Sequence, residues 1–344
     1  MKVAVFDTKE YDKKSLEKYA SIRNIEFKFL EPKLSEDTYK LADGCEGACV
    51  FVNDILNKKV IDDLYNIGVK AIFLRCAGFN NVDLKACFGK IHVYRVPAYS
   101  PYAVAEHAFA LLLTSNRRIH KAYNRVRDYN FSLSELTGMD LHGKTVGVIG
   151  TGKIGKCFIN IAQGFGMRVL AFDKFPSDIK DVKYVSLEEL LKESDIISLH
   201  CPLTEDTYHL LNEETLKLTK KGVMIINTSR GALIDSQALL DAIKQRHVGA
   251  ACLDVYEEEG DIFYADKSNH IMNDEILLQL IAMPNVLITS HQAFLTHEAL
   301  DNIADTTTDN IIKFENSLPN DNEVCYHCGH EDTCKKNRKN CCFK

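Results

Sequence analysis

The sequence lacks the features that would direct it to a membrane, out of the cell or to nucleic acid. Its 344 residues contain no apolar stretch as long as the roughly 20 residues that a membrane-spanning helix needs. Met1 leads directly into Lys2–Asp7, which predicts a β-strand, and no cleavable signal peptide fits there. The net charge of −6 gives no electrostatic reason for nucleic-acid binding. We therefore expect a cytoplasmic protein that binds neither membranes nor nucleic acid.

Two hydrolase signatures are also missing. No serine lies in a G-x-S-x-G turn, so the nucleophile elbow of the α/β-hydrolases is excluded. The pairs Glu106-His107 and His297-Glu298 lack a second histidine at helical spacing, so a zinc hydrolase is not indicated. Three other histidines are interpreted as structural or exposed: His120, His200 and His209.

The twelve cysteines are unevenly distributed. Seven lie mostly inside apolar segments, where a reduced thiol acts as a small hydrophobic group: Cys45, Cys49, Cys76, Cys87, Cys157, Cys201 and Cys252. The last twenty residues hold the other five. Cys325 and Cys328, with His330 and Cys334 nearby, are ligand types of a small zinc site, but this lysine-rich segment has few apolar residues. Three interpretations of the tail are open: a flexible thiol-bearing appendage, which we favour, a metal site, or a redox switch. We expect no resident metal.

The chain is long enough for two domains of ordinary size. Over its first hundred residues, apolar runs alternate with amphipathic helical patterns, which is typical of βαβ units around a parallel sheet. The strands predicted there are 2–6, 26–30, 48–52, 71–75 and 92–96. Ser100-Pro101 then opens a long apolar helix that is predicted to run to about Tyr123.

The same alternation restarts after this helix. The predicted strands are 145–149, 168–172, 195–200, 223–227, 250–253 and 286–289, and a helical pattern over 296–315 returns the chain to the first domain. We therefore predict an α/β protein with two Rossmann-like, doubly wound parallel-sheet domains and an active site in the cleft between them. The predicted domains are a discontinuous substrate domain (1–100 with 297–324), a dinucleotide-binding Rossmann domain (101–296) and a cysteine-rich tail (325–344).

The most informative motif is the G-x-G-x-x-G run at 150–155, which follows a predicted strand and opens a helical pattern. Gly150 permits a tight turn, Gly152 lets the backbone approach a pyrophosphate, and Gly155 lets the helix pack close to the strand. Free N–H groups at the helix start hold the phosphates. Asp173 ends the next strand, where it accepts hydrogen bonds from the adenosine ribose and repels a 2′-phosphate. The motif therefore predicts NAD, and not NADP, as the cofactor.

Three candidate catalytic groups follow later strands of the same domain: Arg230, Glu259 and His291. Reduction of a 2-keto acid needs a cation for the carboxylate and carbonyl oxygen, a proton donor, and a group that keeps the donor protonated. Arginine supplies a bidentate cation, and histidine titrates near neutral pH. A carboxylate bonded to the far ring nitrogen stabilises the imidazolium and fixes its orientation. Because the three residues follow consecutive strands, we predict that they act together.

The segments around these residues resemble signatures of the D-isomer-specific 2-hydroxyacid dehydrogenases. The matching segments are 75–83, 96–101, 227–231, 254–259 and 290–294. The resemblance covers about residues 1–324 and is closest to the fermentative bacterial branch of the family, the D-lactate dehydrogenases. It implies catalytic roles for Arg230 and His291, and it assigns the acidic role to Glu259, the sixth residue of 254–259, and not to Glu257 or Glu258.

The same resemblance implies the ligand contacts. NAD is expected to contact Gly150, Gly152, Lys153, Ile154, Gly155, Asp173, Cys201, Pro202, Thr207, Thr228, Ser229, Arg230 and Asp254. The substrate is expected to bind Arg230, His291 and the backbone N–H groups of Ala77 and Gly78. Tyr99 either lines the substrate pocket or is a hinge residue that only packs.

The resemblance implies an NAD-dependent oxidoreductase that reduces pyruvate to D-lactate, with His291 as the proton donor, and that forms a homo-oligomer. Two alternatives stay open. The first is a dehydrogenase for a bulkier D-2-hydroxy acid, because pocket shape decides the substrate. The second is a nucleotide-sensing binding protein like the transcriptional corepressors of this fold, which can retain the catalytic groups.

Overall fold

The chain divides into two compact units in a computed structural model, which describes residues 1–326 apart from the side chain of Asp261. Unit 1 consists of Met1–Ser100 and the chain from Leu295 onward, and unit 2 is Pro101–Phe294. Each unit is a mainly parallel sheet with helices, as the sequence predicts. Five residues of the proposed tail lie outside the described residues: Cys328, His330, Cys334, Cys341 and Cys342.

Unit 1 has a six-stranded sheet in the described part of the chain. Its strands are β1 (Lys2–Val5), β2 (Glu26–Phe29), β3 (Gly47–Val50), β4 (Ala71–Leu74), β5 (His92–Tyr94) and β13 (Glu323–Val324). Its helices are α1 (Glu10–Arg23), α2 (Lys58–Asn66), α3 (Leu84–Cys87) and α11 (His297–Glu315). The strand order is β13-β5-β4-β3-β1-β2. All residues of β3 and β4 are buried, as expected for central parallel strands that helices cover on both faces.

One strand of this sheet departs from the predicted all-parallel pattern. β13 pairs antiparallel with β5, with Glu323 opposite Tyr94 and Val324 opposite Val93. The Glu323 carboxylate also lies 2.7 Å from Nδ1 of His92. A two-residue strand has no periodicity of its own, so its pairing depends on these long-range contacts.

Unit 2 has a seven-stranded parallel sheet. Its strands are β6 (Thr145–Ile149), β7 (Arg168–Phe172), β8 (Val182–Tyr184), β9 (Ile196–Leu199), β10 (Val223–Asn227), β11 (Val248–Leu253) and β12 (Val286–Ile288). Its helices are α4 (Pro101–Asn116), α5 (Ile119–Arg127), α6 (Lys153–Gly164), α7 (Leu187–Glu193), α8 (Glu213–Lys217), α9 (Ser236–Lys244) and α10 (Glu275–Ala282). The order is β12-β11-β10-β9-β6-β7-β8, so β10, β11 and β12 end side by side. The edge strand β8 is an addition to the six predicted strands.

The prediction of one helix from Pro101 to about Tyr123 is wrong. α4 ends at Asn116, Arg118 has a left-handed backbone (φ 53°), and α5 begins at Ile119. The side chain of Asn116 accepts a hydrogen bond from the backbone N–H of Met139 and donates one to its carbonyl, which fixes the end of α4. No helix among residues 1–326 is both long and apolar enough to cross a membrane.

Most cysteines in the described residues are buried, and no disulfide joins two of them. Burial raises the pKa of Cys49 to about 11 and those of Cys87 and Cys252 to about 12, because it removes water from the thiolate. These thiols therefore pack as small apolar groups, as the sequence predicts.

The core of unit 1 gives a stability prediction. Phe73→Ala is expected to lower the free energy of unfolding by about 3–5 kcal/mol, because the fully buried ring packs against Tyr94 and Phe314 and its loss leaves a cavity. Ile22→Ala, at a position of α1 that is 73% exposed, is the control and should change it by less than about 0.5 kcal/mol. Urea unfolding followed by circular dichroism measures both. Similar losses in the two variants would contradict this account.

Candidate active site

The glycine loop connects β6 to α6. Gly150 has φ +94°, and a Cβ atom there would lie 2.5 Å from the carbonyl carbon of His200. A Cβ atom on Gly155 would lie 2.0 Å from the carbonyl oxygen of Gly150, so the first turn of α6 packs directly on the loop. Larger residues at either position would push the loop away from β9 or from α6.

A cavity of about 880 Å³ lies beside this loop. Several of the predicted cofactor residues line it: Gly150, Gly152, Asp173, Cys201, Pro202 and Thr207. Gly152 is the N-cap of α6 and has open space where a Cβ atom would be, so the backbone N–H groups of Lys153 and Ile154 begin the helix beside the cavity. The size and the helix N-terminus fit a nucleotide with its phosphates.

Asp173 is held by the glycine loop itself. Its Oδ2 accepts hydrogen bonds from the backbone N–H (2.6 Å) and hydroxyl (3.0 Å) of Thr151, and its Oδ1 accepts one from the N–H of Phe175. The hydroxyl of Tyr184 donates to the hydroxyl of Thr151 at 2.9 Å. Sequence reasoning missed Tyr184, because it lies on the unpredicted strand β8.

The loop after β9 forms another part of the cavity wall. Burial raises the pKa of Cys201 to about 11, so its thiol is neutral near pH 7 and serves as an apolar wall. The Thr207 hydroxyl donates to the carbonyl oxygen of Pro202 at 2.7 Å and tightens the turn. The three predicted cofactor residues of this loop therefore lie together in the cavity wall: Cys201, Pro202 and Thr207.

The loop after β10 carries Thr228, Ser229 and Arg230. The Thr228 hydroxyl is buried and finds no hydrogen-bond partner among the described residues. The Ser229 hydroxyl donates to the carbonyl oxygen of Leu199, and Nη1 of Arg230 donates to the carbonyl oxygen of Ser229 at 2.6 Å. A buried hydroxyl without a partner is unfavourable, so a polar ligand group fits this position.

Two of the candidate catalytic residues are in direct contact. Nδ1 of His291 lies 2.7 Å from Oε1 of Glu259, and the two side chains are 16% and 18% exposed. Oε2 of Glu259 accepts a hydrogen bond from the N–H of Tyr256. Arg230 follows the neighbouring strand β10 of the same sheet. Since Glu259 takes Nδ1, Nε2 is the ring nitrogen that is left for a substrate. Glu257 contacts His209 instead, at 2.6 Å.

Asp254 lies behind this pair and is fully buried. Its carboxylate accepts hydrogen bonds from the N–H groups of Gln292 (2.9 Å) and Ala293 (2.8 Å) and from the hydroxyl of Thr289 (2.5 Å). Asp254 therefore fixes the loop that carries His291 from within the fold. Nε2 of His107 also lies 3.3 Å from this carboxylate, a long-range contact that the sequence around His107 does not indicate.

The predicted substrate residues Ala77, Gly78 and Tyr99 lie in unit 1. The carbonyl oxygen of Ala77 accepts a hydrogen bond from Nη1 of Arg95, and that of Gly78 accepts one from the thiol of Cys76. Among the described residues, no hydrogen bond uses the N–H groups of Ala77 and Gly78. Asn302 donates to the carbonyl oxygen of Tyr99.

Comparisons with known proteins agree with these features. A family model described as D-isomer specific 2-hydroxyacid dehydrogenase, NAD binding domain, matches residues 109–293. The D-lactate dehydrogenase of Escherichia coli (strain K12) is 54% identical over 329 residues, which are 94% of this chain and 100% of that protein. The pyruvate reductase of Chlamydomonas reinhardtii has a similar structure, with a TM-score of 0.88 and 45% identity over 93% of this chain and 97% of that one.

An NAD-complexed structure is also similar. It is a D-isomer specific 2-hydroxyacid dehydrogenase from Lactobacillus delbrueckii ssp. bulgaricus, with a TM-score of 0.80 and 30% identity over 94% of this chain and 100% of that one. The fold, the glycine loop and this NAD-complexed neighbour therefore all indicate NAD as the cofactor.

His200, next to the glycine loop, gives a prediction on pH dependence. It is partly buried beside the cavity, its Nε2 contacts the Ser198 hydroxyl at 2.8 Å, and burial lowers its pKa from 6.5 to about 3. Between pH 6.5 and about pH 3, this histidine binds a proton in the unfolded chain but not in the folded one. The free energy of unfolding therefore falls as pH falls. From about pH 7.5 to pH 5 this loss is about 2 kcal/mol.

His200→Gln removes the titrating group. Its free energy of unfolding should therefore fall by about 2 kcal/mol less than that of the parent protein over the same pH interval, as measured by urea unfolding. His270→Gln, at an exposed position, is the control and should keep the parent's pH dependence. Parallel curves for parent and His200→Gln would show that His200 does not stay neutral in the folded protein.

Proposed function

The chain belongs to the D-isomer specific 2-hydroxyacid dehydrogenases, and we propose that it is an NAD-dependent D-lactate dehydrogenase that works mainly as a pyruvate reductase. The observation that carries this proposal is the 2.7 Å contact between His291 and Glu259, in the unit that also holds the glycine loop and that carries Arg230 after the neighbouring strand β10. The relatives with this activity, the D-lactate dehydrogenase of Escherichia coli among them, are similar over nearly the whole chain.

His291 is the proposed proton donor. With Nδ1 on the Glu259 carboxylate, the protonated ring presents Nε2–H to the carbonyl oxygen of pyruvate. The negative charge of Glu259 stabilises the imidazolium before the proton leaves. The hydrogen bond from the N–H of Tyr256 orients the carboxylate, so the imidazole ring is fixed in turn. Bound NADH supplies the hydride for the carbonyl carbon.

Arg230 is the proposed electrophile and carboxylate clamp. Its Nη1 is held by the Ser229 carbonyl, which fixes the plane of the guanidinium and leaves further N–H groups for a ligand. A planar guanidinium can bind a carboxylate at two points and polarise the adjacent carbonyl. The N–H groups of Ala77 and Gly78, which donate to no described residue, are proposed to bind the substrate carboxylate, and Tyr99 to contact the substrate.

The cofactor residues are proposed to act in three groups. The N-terminus of α6, from Gly152 to Gly155, binds the pyrophosphate. Asp173 accepts hydrogen bonds from the adenosine ribose. The loops after β9 and β10 enclose the rest of the nucleotide, with Cys201 as an apolar wall and Thr228 as a polar contact. Asp254 supports this site through the His291 loop.

We also propose that the protein is cytoplasmic and forms a homo-oligomer. The absence of a disulfide between any two described cysteines fits a reducing compartment. Large apolar side chains are exposed along and after α5, where a second copy could bury them: Tyr123, Val126, Tyr129, Phe131 and Leu133.

The direct test is NADH oxidation with a panel of 2-keto acids. The proposal expects the highest kcat/KM with pyruvate and D-lactate as the product. A higher kcat/KM with a branched or aromatic keto acid would instead indicate a dehydrogenase for bulkier substrates. Tight NADH binding without turnover of any keto acid would indicate a nucleotide-sensing protein.

Loss of the proton donor gives the first functional prediction. His291→Asn should lower kcat for pyruvate reduction by about 10²-fold or more, because asparagine cannot donate the proton. NADH affinity, measured by fluorescence titration, should stay nearly unchanged. His270→Asn is the exposed control and should retain the parent's kcat. A folded His291→Asn protein with near-normal turnover would remove His291 from the mechanism.

Asp173 gives the second functional prediction. Asp173→Ala should narrow the preference for NADH over NADPH, because it removes both the ribose acceptor and the charge that repels a 2′-phosphate. The measurement is kcat/KM for each cofactor at saturating pyruvate. Asp178→Ala, an exposed carboxylate further along the same loop, is the control. An unchanged ratio in Asp173→Ala would place the ribose contact elsewhere.

A further inference from the structure

The segment 259–264 contacts His291 at two separate points. At its start, the Glu259 carboxylate binds Nδ1 of the imidazole. At its end, the hydroxyl of Tyr264 donates a hydrogen bond to the backbone carbonyl oxygen of His291 at 2.8 Å. The two rings also lie near each other, with centroids 5.9 Å apart. One short piece of chain therefore holds both the side chain and the backbone of the same histidine.

The backbone of His291 is in a conformation that needs such support. Its φ of +52° is in the left-handed region, which is disfavoured for residues with a Cβ atom. On the N-terminal side of this residue, its N–H donates to the carbonyl oxygen of Asp254 at 2.7 Å. On the C-terminal side, the Tyr264 hydroxyl holds its carbonyl group. The two contacts fix the peptide groups on both sides of the strained residue.

The segment that carries Tyr264 is anchored in unit 2. Phe263, the preceding residue, is buried in the core of this unit, and the N–H groups of Ile262 and Phe263 both donate to the carbonyl oxygen of Glu259. Tyr264 itself packs partly against the same core and also has a left-handed backbone, with φ +64°. A change at the Tyr264 hydroxyl therefore leaves the ring and the segment in place.

We propose that Tyr264 is a positioning residue for the proton donor, which it holds in the left-handed conformation that keeps the imidazole on Glu259. This inference rests on the proposed role of His291. Without the hydroxyl, the peptide group after His291 keeps only the hydrogen bond from the N–H of Gln292 to Asp254, so it turns more easily towards ordinary backbone angles. The ring then spends less time at the 2.7 Å distance from Glu259 that orients its Nε2–H for proton transfer.

The kinetic test uses Tyr264→Phe, which deletes the hydroxyl and keeps the ring. Loss of one hydrogen bond should lower kcat for pyruvate reduction by about 3- to 10-fold. The dissociation constant of NADH should stay within about twofold of the parent's. Tyr65→Phe, the same change at an exposed residue of unit 1, is the control.

A double-mutant cycle separates positioning from general destabilisation. If Tyr264 acts through the contact between His291 and Glu259, the loss from Tyr264→Phe should be much smaller in a Glu259→Gln background than in the parent. Fully additive losses would overturn the proposal. So would a Tyr264→Phe protein with a lowered melting temperature but with the parent's kcat.

The state of His291 can also be measured without turnover. In protein labelled with ¹⁵N-histidine, the ring signals of His291 are assigned by their loss in His291→Asn. The proposal expects the chemical shift of Nδ1, which reports its contact with Glu259, to differ between Tyr264→Phe and the parent at the same pH, and an unchanged shift would overturn it. Because this measurement needs no substrate, its outcome is independent of whether the proposed function is correct.

Discussion

The buried carboxylate of Asp254 is the constraint on which the site of His291 depends. A charge without access to water is very unfavourable unless several donors converge on it. Here those donors come from the chain just before and after His291: the hydroxyl of Thr289 and the N–H groups of Gln292 and Ala293. The end of β11 and the loop after β12 are thereby tied together. Together with the Tyr264 hydroxyl, this arrangement supports the left-handed backbone of His291, whose ring contacts Glu259.

The sheet of unit 2 supplies the second constraint, which is register. In the parallel pairing, Asn227 lies opposite Leu253, and Leu253 lies opposite Ile288. The loops that carry Arg230, Glu259 and His291 therefore leave one edge of the sheet at the same height. Rigid strands hold these loop positions more closely than a chain of flexible segments could. The same edge carries the glycine loop after β6, so one scaffold places both sets of residues.

Most of the framework could be predicted because its signals are local. The glycine run, the apolar strands and the capped last helix are each visible within about twenty residues of sequence, and the resemblance marked the loops that hold the candidate catalytic residues. The missed features depend on contacts between distant parts of the chain. Two strands are too short to show an alternation of apolar and polar residues: Val182–Tyr184 and Glu323–Val324. The break between α4 and α5 depends on the left-handed backbone of Arg118, and no glycine in the sequence marks that position. Tyr264 was invisible for the same reason, since its hydroxyl meets His291 across 27 positions.

The burial of the cysteines makes their thiols slow to react with oxidants. Peroxides and electrophiles react with the thiolate and hardly at all with the neutral thiol. A thiol with a pKa of about 11, such as that of Cys49 or Cys201, is ionised to only about one part in ten thousand at pH 7. The buried thiols with raised pKa values are thus slow to react, although they are numerous. A redox enzyme built in this way can pass electrons as hydride between small molecules while its own side chains stay out of the exchange.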